Sequence, residues 1–576
     1  MAKKKNHVKT LAAGEDPNKD PSLVAAAENL ETKMVVASVA PVVAGDGAGD
    51  PASIMRLETH GVAGSYVKVL DKEKMKVVAD RPLRSMWSEL QKQCWLAGPT
   101  FLTLMLNELR QLMVVSFVAR LGASYLAAYS LGNSFVFMIG FDSLIGLASG
   151  LETLCGQAYG AKEYHLLRIY LQRGVFVLLI AALPISLAVF YMAPILVAFG
   201  ENTELAAHAQ VFGRWLIPSL VTYTFLSPLV NFCQCQHMVV SVMWAEAVAF
   251  SLQLPICFLL ITKLKIGYQA GAVAFSTAVI FEALALATIV RFSSKGKKVF
   301  SSFSMHEVLH DLVGFLKLAV PAAGMTCLER WTYQILSLLA GLLPHSEIEL
   351  AAYTIRNESL MYMFVLRIYL RKSVCSVRVS NELGAGRPHA AKFSVFMSIM
   401  MSMGVGIIMA AMVLLPQNVW GHAFSKEQEV LDRVSMVAPY LAAVTILNCI
   451  QVVLSGVMRG IGLQKVGAYT NLGAYYGVGL ATAMILIFVF QFDGRGLWIG
   501  MLCGVTAQTV ALTTISLFLN WESLSKEALK RISLSQSSLP STTVPLLAED
   551  KATALFTSPV CIISTFYAAC AQNAFH

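Results

Sequence analysis

LETLCGQAYGAKEYH, residues 151–165, follows an apolar run over residues 125–149. Its Glu152, Gln157, Lys162, Glu163 and His165 do not suit a hydrocarbon environment. The string reads as an elbow at a membrane surface. Gly156 and Gly160 release the backbone, and Glu152 or Thr153 caps the next helical segment. Lys162, Arg168 and Arg173 hold the turn at one face. A second string of the same build lies at 378–392, RVSNELGAGRPHAAK. There Gly384 and Gly386 stop the chain, and Pro388 permits a new helix to start. Both are expected to be well-capped loops without direct contact to a substrate.

The two strings belong to a repeat. Gln157, Gly160 and Ala161 are echoed by Asn381, Gly384 and Ala385, and LAAYS at 126–130 by LAAYT at 350–354, both at an offset of 224 residues. LAGP at 96–99 is echoed by LAVP at 318–321, and Pro218 by Pro439, at nearly that offset. Each half then holds six spans. An even number inserts both halves the same way up, as in transporters built from parallel repeats.

The whole chain is consistent with a bilayer as its solvent. Of 576 residues, 56% are hydrophobic and 14% charged, with mean hydropathy +0.62; soluble proteins carry about a quarter charged residues. Apolar spans are expected at 94–118, 125–149, 169–198, 210–233, 239–262, 268–291, 314–343, 351–375, 393–416, 434–457, 467–491 and 496–520. The domain plan is a disordered arm over 1–88, a first lobe over 89–292, a basic linker over 293–313, a second lobe over 314–521 and a tail over 522–576. The fold class is an all-α polytopic membrane protein, with twelve helices in two six-helix lobes around a central cavity. An apolar patch in the tail, FTSPVCIISTFYAAC, is too short and polar for a thirteenth span.

The loops after spans 2, 6, 8 and 10 hold most of the Lys and Arg, which places them and both termini in the cytosol. That bias also accounts for the net charge of +9, so no nucleic-acid partner is expected. The eleven cysteines sit mostly in apolar runs and indicate neither a disulfide framework nor a metal site. No cofactor is implied. Clustered acids for a metal–diphosphate enzyme are missing, and His165, His208 and His237 are isolated. Enzymes, receptors and channels with a filter string fit poorly.

LETLCGQAYGAKEYHLLRIYLQR, RVSNELGAGRPHAAK and SGVMRGIGLQKVGAYTNLGAYYGVG, residues 455–479, resemble the plant branch of the multidrug and toxic compound extrusion family. The likeness spans about residues 88–520. It implies twelve helices in two lobes and export of organic compounds driven by a proton or sodium gradient, the proton being favoured. It also implies flavonoid, alkaloid or xenobiotic-like solutes, and a place in the vacuolar or plasma membrane. The signature residues of the two strings are Glu152, Gly156, Gln157, Gly160, Asn381, Glu382, Gly384 and Gly386. A monomer in the bilayer is expected, its partners being one organic solute and the proton. A lipid-linked sugar flippase of a related transporter class is the nearest alternative.

An ionisable residue inside a span is a functional candidate by default. Glu329, in CLERW, is the expected proton-coupling carboxyl, since plant members of the family carry Cys-Leu-Glu-x-Trp there. Its structural alternative is an ion pair with Arg330 or Arg110. The family's second acid, on span 10, is replaced by Asn448, which can hydrogen-bond a hydroxylated ligand. Glu246 and Glu282 are further candidates for the cavity, with Trp331, Tyr333 and Tyr475 as stacking surfaces. Asp142 is expected near the membrane surface. Span 8 is anomalous: FVLRIYLRKSVCS places Arg367, Arg371 and Lys372 in hydrocarbon. Either they line a wet cavity, or this isoform is inactive.

Overall fold

The computed structural model describes residues 63–293, 296, 305–340, 343, 375–414 and 436–537. Two compact units divide the chain, Met1–Asp80 and Arg81–His576. The second holds the membrane bundle. Its helices are α1 (Ala63–Ala119, of which the residues from Arg81 onward belong to this unit), α2 (Ser124–Gly160), α3 (Tyr164–Phe190), α4 (Thr203–Cys235), α5 (Val239–Lys263), α6 (Gln269–Phe292) and α7 (Leu312–Ala340). They continue with α8 (Val377–Gly384), α9 (Pro388–Leu414), α10 (Ala438–Ile461), α11 (Gln464–Val489), α12 (Asp493–Leu517) and α13 (Trp521–Ser537). Among the described residues, 11 helices are long and apolar enough to cross a membrane. The expected eighth span, with Arg367, Arg371 and Lys372, lies outside the described residues apart from its last residue, and so does the apolar patch of the tail.

Local chemistry sets the helix ends. Asn202 caps α4, its Oδ1 accepting the backbone N–H groups of Glu204 at 2.8 Å and Leu205 at 3.4 Å. Gly462, at φ +87°, ends α10 in the left-handed region where glycine is unstrained. Proline is tolerated inside α3, α4, α5 and α7. In α5 the backbone beyond Pro255 widens into a π-helical stretch, Phe258–Lys263. In α2 a similar stretch, Val136–Phe141, precedes Asp142.

Two expectations are corrected here. The arm over 1–88, expected to be disordered, is helical from Ala63 onward. More important, the two signature strings are mostly helix, with the expected elbows confined to short turns over 161–163 and 385–387. Residues Gly150–Gly160 complete α2, and Val377–Gly384 form α8. Glycines and polar residues suggest a broken chain when read locally. Here they lie on one helix face, which they make thin enough for close packing.

Lipid is as apolar as leucine, so helix association in a bilayer relies on packing and interhelical hydrogen bonds. Small residues recur along α2 at Gly146, Gly150, Thr153, Gly156 and Gly160, steps of three or four that keep to one face. This stripe meets the second half. A Cβ at Gly146 would lie 2.6 Å from the Ala323 Cα, and one at Gly150 would lie 2.9 Å from the Ala319 Cα. A Cβ at Gly156 would fall on the Ser380 hydroxyl, and one at Gly160 on the Asn381 carbonyl oxygen. Large apolar residues such as Leu183, Leu187, Ile407 and Ile408 remain exposed on the outside, facing lipid.

Candidate functional site

A cavity of about 220 Å³ opens inside the first half. Phe137, Phe141, Tyr223 and Phe275 supply aromatic wall, and Asn107, Asn231 and Gln234 supply amides. From the second half Thr326, Arg330 and Arg459 reach it.

At the centre of its charge stands Arg110 of α1, 1% exposed. Its Nε lies 3.0 Å from Glu246 Oε1 of α5, and its Nη1 lies 3.2 Å from Glu282 Oε2 of α6. The guanidinium also sits 5.7 Å from the Phe275 ring centroid. Gln253 Nε2 donates to the Arg110 carbonyl at 2.8 Å, fixing the helix that presents it. One guanidinium thus serves two carboxyls. The cluster has an excess negative charge unless a proton or an incoming cation balances it.

A second ion pair crosses between the halves. Arg330 Nη1 of α7 donates to Asp142 Oδ1 of α2 at 2.6 Å. Asp142 is buried in the bundle. Beside it the Trp331 indole N–H donates to the Met138 carbonyl at 3.2 Å. Trp331 therefore ties α7 to α2 rather than offering a stacking face in this cavity.

The remaining candidates lie elsewhere. Glu329 is 1% exposed on α7, one turn beyond Thr326 and in the second half's interior. Tyr475 is fully buried in a second-half apolar cluster, with Tyr333 packed against that cluster. Asn448 of α10 is 0% exposed, and among the described residues neither of its side-chain amide atoms has a hydrogen-bond partner. Elsewhere in the second half, amides bond to backbone and to each other. Asn471 Nδ2 donates to the Met325 carbonyl at 2.8 Å, and Gln508 Nε2 to Asn471 Oδ1 at 2.5 Å.

The eight signature residues belong to a seam at the arginine-rich end. Gln157 Nε2 of α2 donates to the Gly460 carbonyl at the end of α10, at 3.4 Å. Asn381 Nδ2 of α8 donates to the Cys235 carbonyl at the end of α4, at 3.2 Å. The contact is reciprocal: a Cβ at Gly160 would strike the Asn381 oxygen, and one at Gly384 the Gln157 oxygen. Thr153 Oγ1 adds a bond to the Arg459 carbonyl at 2.5 Å and accepts from Gln464 Nε2 at 2.6 Å. Arg378 binds Glu89 of α1 at 2.7 Å and Glu382 at 3.2 Å, and Arg387 also holds Glu382 at 2.8 Å. Glu152 is buried at the seam. Gly386, at φ +72°, turns the chain into α9.

Sequence reasoning missed the hub. It recognised Arg110, Glu246 and Glu282 separately and considered Arg110 as a partner for Glu329. Charge balance was the available signal: an arginine in a span needs an acid on a neighbouring span.

Long apolar helices, reciprocal halves and a polar cavity walled from both define a polytopic membrane transporter. The MatE family model matches the chain twice, over residues 99–259 and 321–485. Protein DETOXIFICATION 16 of Arabidopsis thaliana is 39% identical over 453 residues, spanning 79% of this chain and 93% of that protein. Protein DETOXIFICATION 17 of the same plant is 37% identical, spanning 77% and 93%. The crystal structure of the eukaryotic MATE transporter AtDTX14 superposes with a TM-score of 0.74 at 34% identity, covering 78% of this chain and 99% of that one. An outward-facing multidrug resistance MATE transporter of the MOP superfamily shares the fold at a TM-score of 0.66 and 18% identity, covering 77% and 96%. The chain belongs to the MATE family, the multidrug and toxic compound extrusion transporters, with its two six-helix lobes.

Proposed function

We propose that this protein exports small organic solutes in exchange for protons, by alternating access between its two lobes. The observation that supports this most is the cavity around Arg110, Glu246 and Glu282. Its aromatic wall suits a planar ring, and its charges and amides suit a polar or ionic edge. Flavonoid, alkaloid or xenobiotic-like compounds have that shape. Glu329 is the coupling carboxyl: it is buried inside a span, where a proton can be taken up from the acidic side and released to the other. Asn448 offers its unpartnered amide to a hydroxylated solute.

The arginine-rich end is the cytosolic one, by the positive-inside bias. The seam there is closed in this structure, so the cavity belongs to a state with its cytosolic gate shut. Both termini are cytosolic, the protein works as a monomer, and the membrane is the vacuolar or the plasma membrane.

The test is solute flux in proteoliposomes under an imposed pH gradient. The intact protein is expected to drive uptake of a fluorescent organic compound, and Glu329→Gln to lose pH-driven uptake while keeping solute exchange without a gradient. Equal pH-driven flux in both removes Glu329 from coupling. Movement of a lipid-linked sugar with no solute flux favours the flippase reading.

A further inference from the structure

The helix that follows the last span does more than terminate the bundle. Along α13, Leu524, Ala528 and Ile532 form an apolar stripe at steps of four. Leu524 and Ala528 are buried in a second-half cluster, with Val379, Leu383 and Val457. Ile532 is buried instead in the large first-half cluster, with Leu166, Leu167 and Tyr170. Polar contacts follow the same division. Ser525 Oγ donates to the Leu383 carbonyl of α8 at 3.3 Å, and Arg531 Nη1 to the Ile461 carbonyl of α10 at 3.4 Å. One turn further, Ser535 Oγ accepts from the Tyr170 hydroxyl of α3 at 3.0 Å, buried. A single helix therefore grips the second half by its first three turns and the first half by its last.

The turn leading into it reads Lys530-Arg531-Ile532-Ser533. Ser533 is exposed, its hydroxyl donating to the Lys530 carbonyl at 2.9 Å. Two basic residues just before an exposed serine suit the acidic peptide groove of a basic-directed protein kinase.

We propose that α13 is a strap across the two halves at the arginine-rich end, and that Ser533 is a phosphorylation site that releases it. The Ser533 oxygen forms a bond to the γ-phosphorus of ATP, the bond from that phosphorus to the bridging oxygen of ADP breaks, and the hydroxyl proton passes to the kinase's base. The product carries nearly two negative charges within the last turn of α13, where helix carbonyls already present negative ends. That turn frays. It is the stretch that contains Ile532 and Ser535, so the grip on α3 fails while the grip of Leu524 and Ser525 on the second half stays. The part of the inference that places Ser533 within reach of ATP rests on the cytosolic assignment of this end.

The experiment uses the full chain in sealed inside-out vesicles, with Mg-ATP and the catalytic subunit of a basic-directed kinase added outside, and phosphosites mapped by mass spectrometry. Phosphate on Ser533, absent in Ser533→Ala, is expected. Hydrogen exchange at amides 530–537 is expected to quicken roughly fivefold to tenfold, with amides 521–527 unchanged. Tyr170→Phe, which removes the bond without adding charge, is expected to quicken the same amides by a smaller factor, roughly threefold to fivefold. Phosphate on Ser533 with unchanged exchange overturns the strap and leaves the orientation intact. Labelling of Ser533 only in right-side-out vesicles overturns the orientation, and with it the modification. No label on Ser533 in permeabilised vesicles overturns the site.

Discussion

The seam at the arginine-rich end and the polar interior of the bundle treat the internal repeat in opposite ways. At the seam the repeat is obeyed residue by residue. Gln157 and Asn381 occupy equivalent positions and make equivalent bonds, each to a closing carbonyl of the other half. Gly160 and Gly384 admit each other's neighbour in the same manner. In the interior the charges of the hub are not repeated. Moving 221–224 residues along from Arg110, Glu246 and Glu282 leads to 331–334, 467–470 and 503–506, and none of these positions is charged. A shared seam with unshared chemistry argues that duplication supplied the hinge geometry, while each half's interior was set by a different task. One interior balances carboxyls with arginine. The other links neutral amides, with Gln508 donating to Asn471 and Asn471 to the Met325 carbonyl.

Breaking the interior should have the largest effect. Arg110→Met leaves Glu246 and Glu282 buried side by side without their guanidinium, at a cost of about 3–5 kcal/mol. Thermal unfolding in detergent should register this as a large drop in Tm. Adding Glu246→Gln and Glu282→Gln should recover most of it. A near-neutral Arg110→Met would mean that the first interior is not held by charge.

The seam can be tested by its symmetry. Gly160→Ala and Gly384→Ala each place a methyl group against a backbone carbonyl, and each should cost about 1–3 kcal/mol. The expected outcome is two similar losses in Tm; a tolerated change on one side only would break the reciprocity. Smaller still, Gln157→Leu and Asn381→Leu should each lose about 0.5–1.5 kcal/mol, the net worth of one buried hydrogen bond. Chemical denaturation of the two variants would sharpen the comparison if the losses match.

The spans were readable because hydropathy is a local property, and each of the first six expected spans overlaps one helix of α1–α6. The signature strings were misread because their meaning is not local. Gly156 looks like a hinge until Ser380 is known to sit opposite it. The stripe Gly146, Gly150, Thr153, Gly156, Gly160 was nevertheless present in the sequence as a helical period of small residues. Of the site, the identity of Glu246 and Glu282 was legible as cost in hydrocarbon. Their convergence on Arg110 was not, since three separate spans must pack before the charges meet. The pairing of Asp142 was hidden for the same reason, because its partner Arg330 lies 188 residues away.

The backbone-to-backbone approach of α2 to α7 and α8 has one more implication. Where glycine lets two main chains touch, no gap is left for a file of water molecules, and without such a file ions have no path to slip through unaccompanied. A transporter must not leak, and a row of missing side chains provides that insulation.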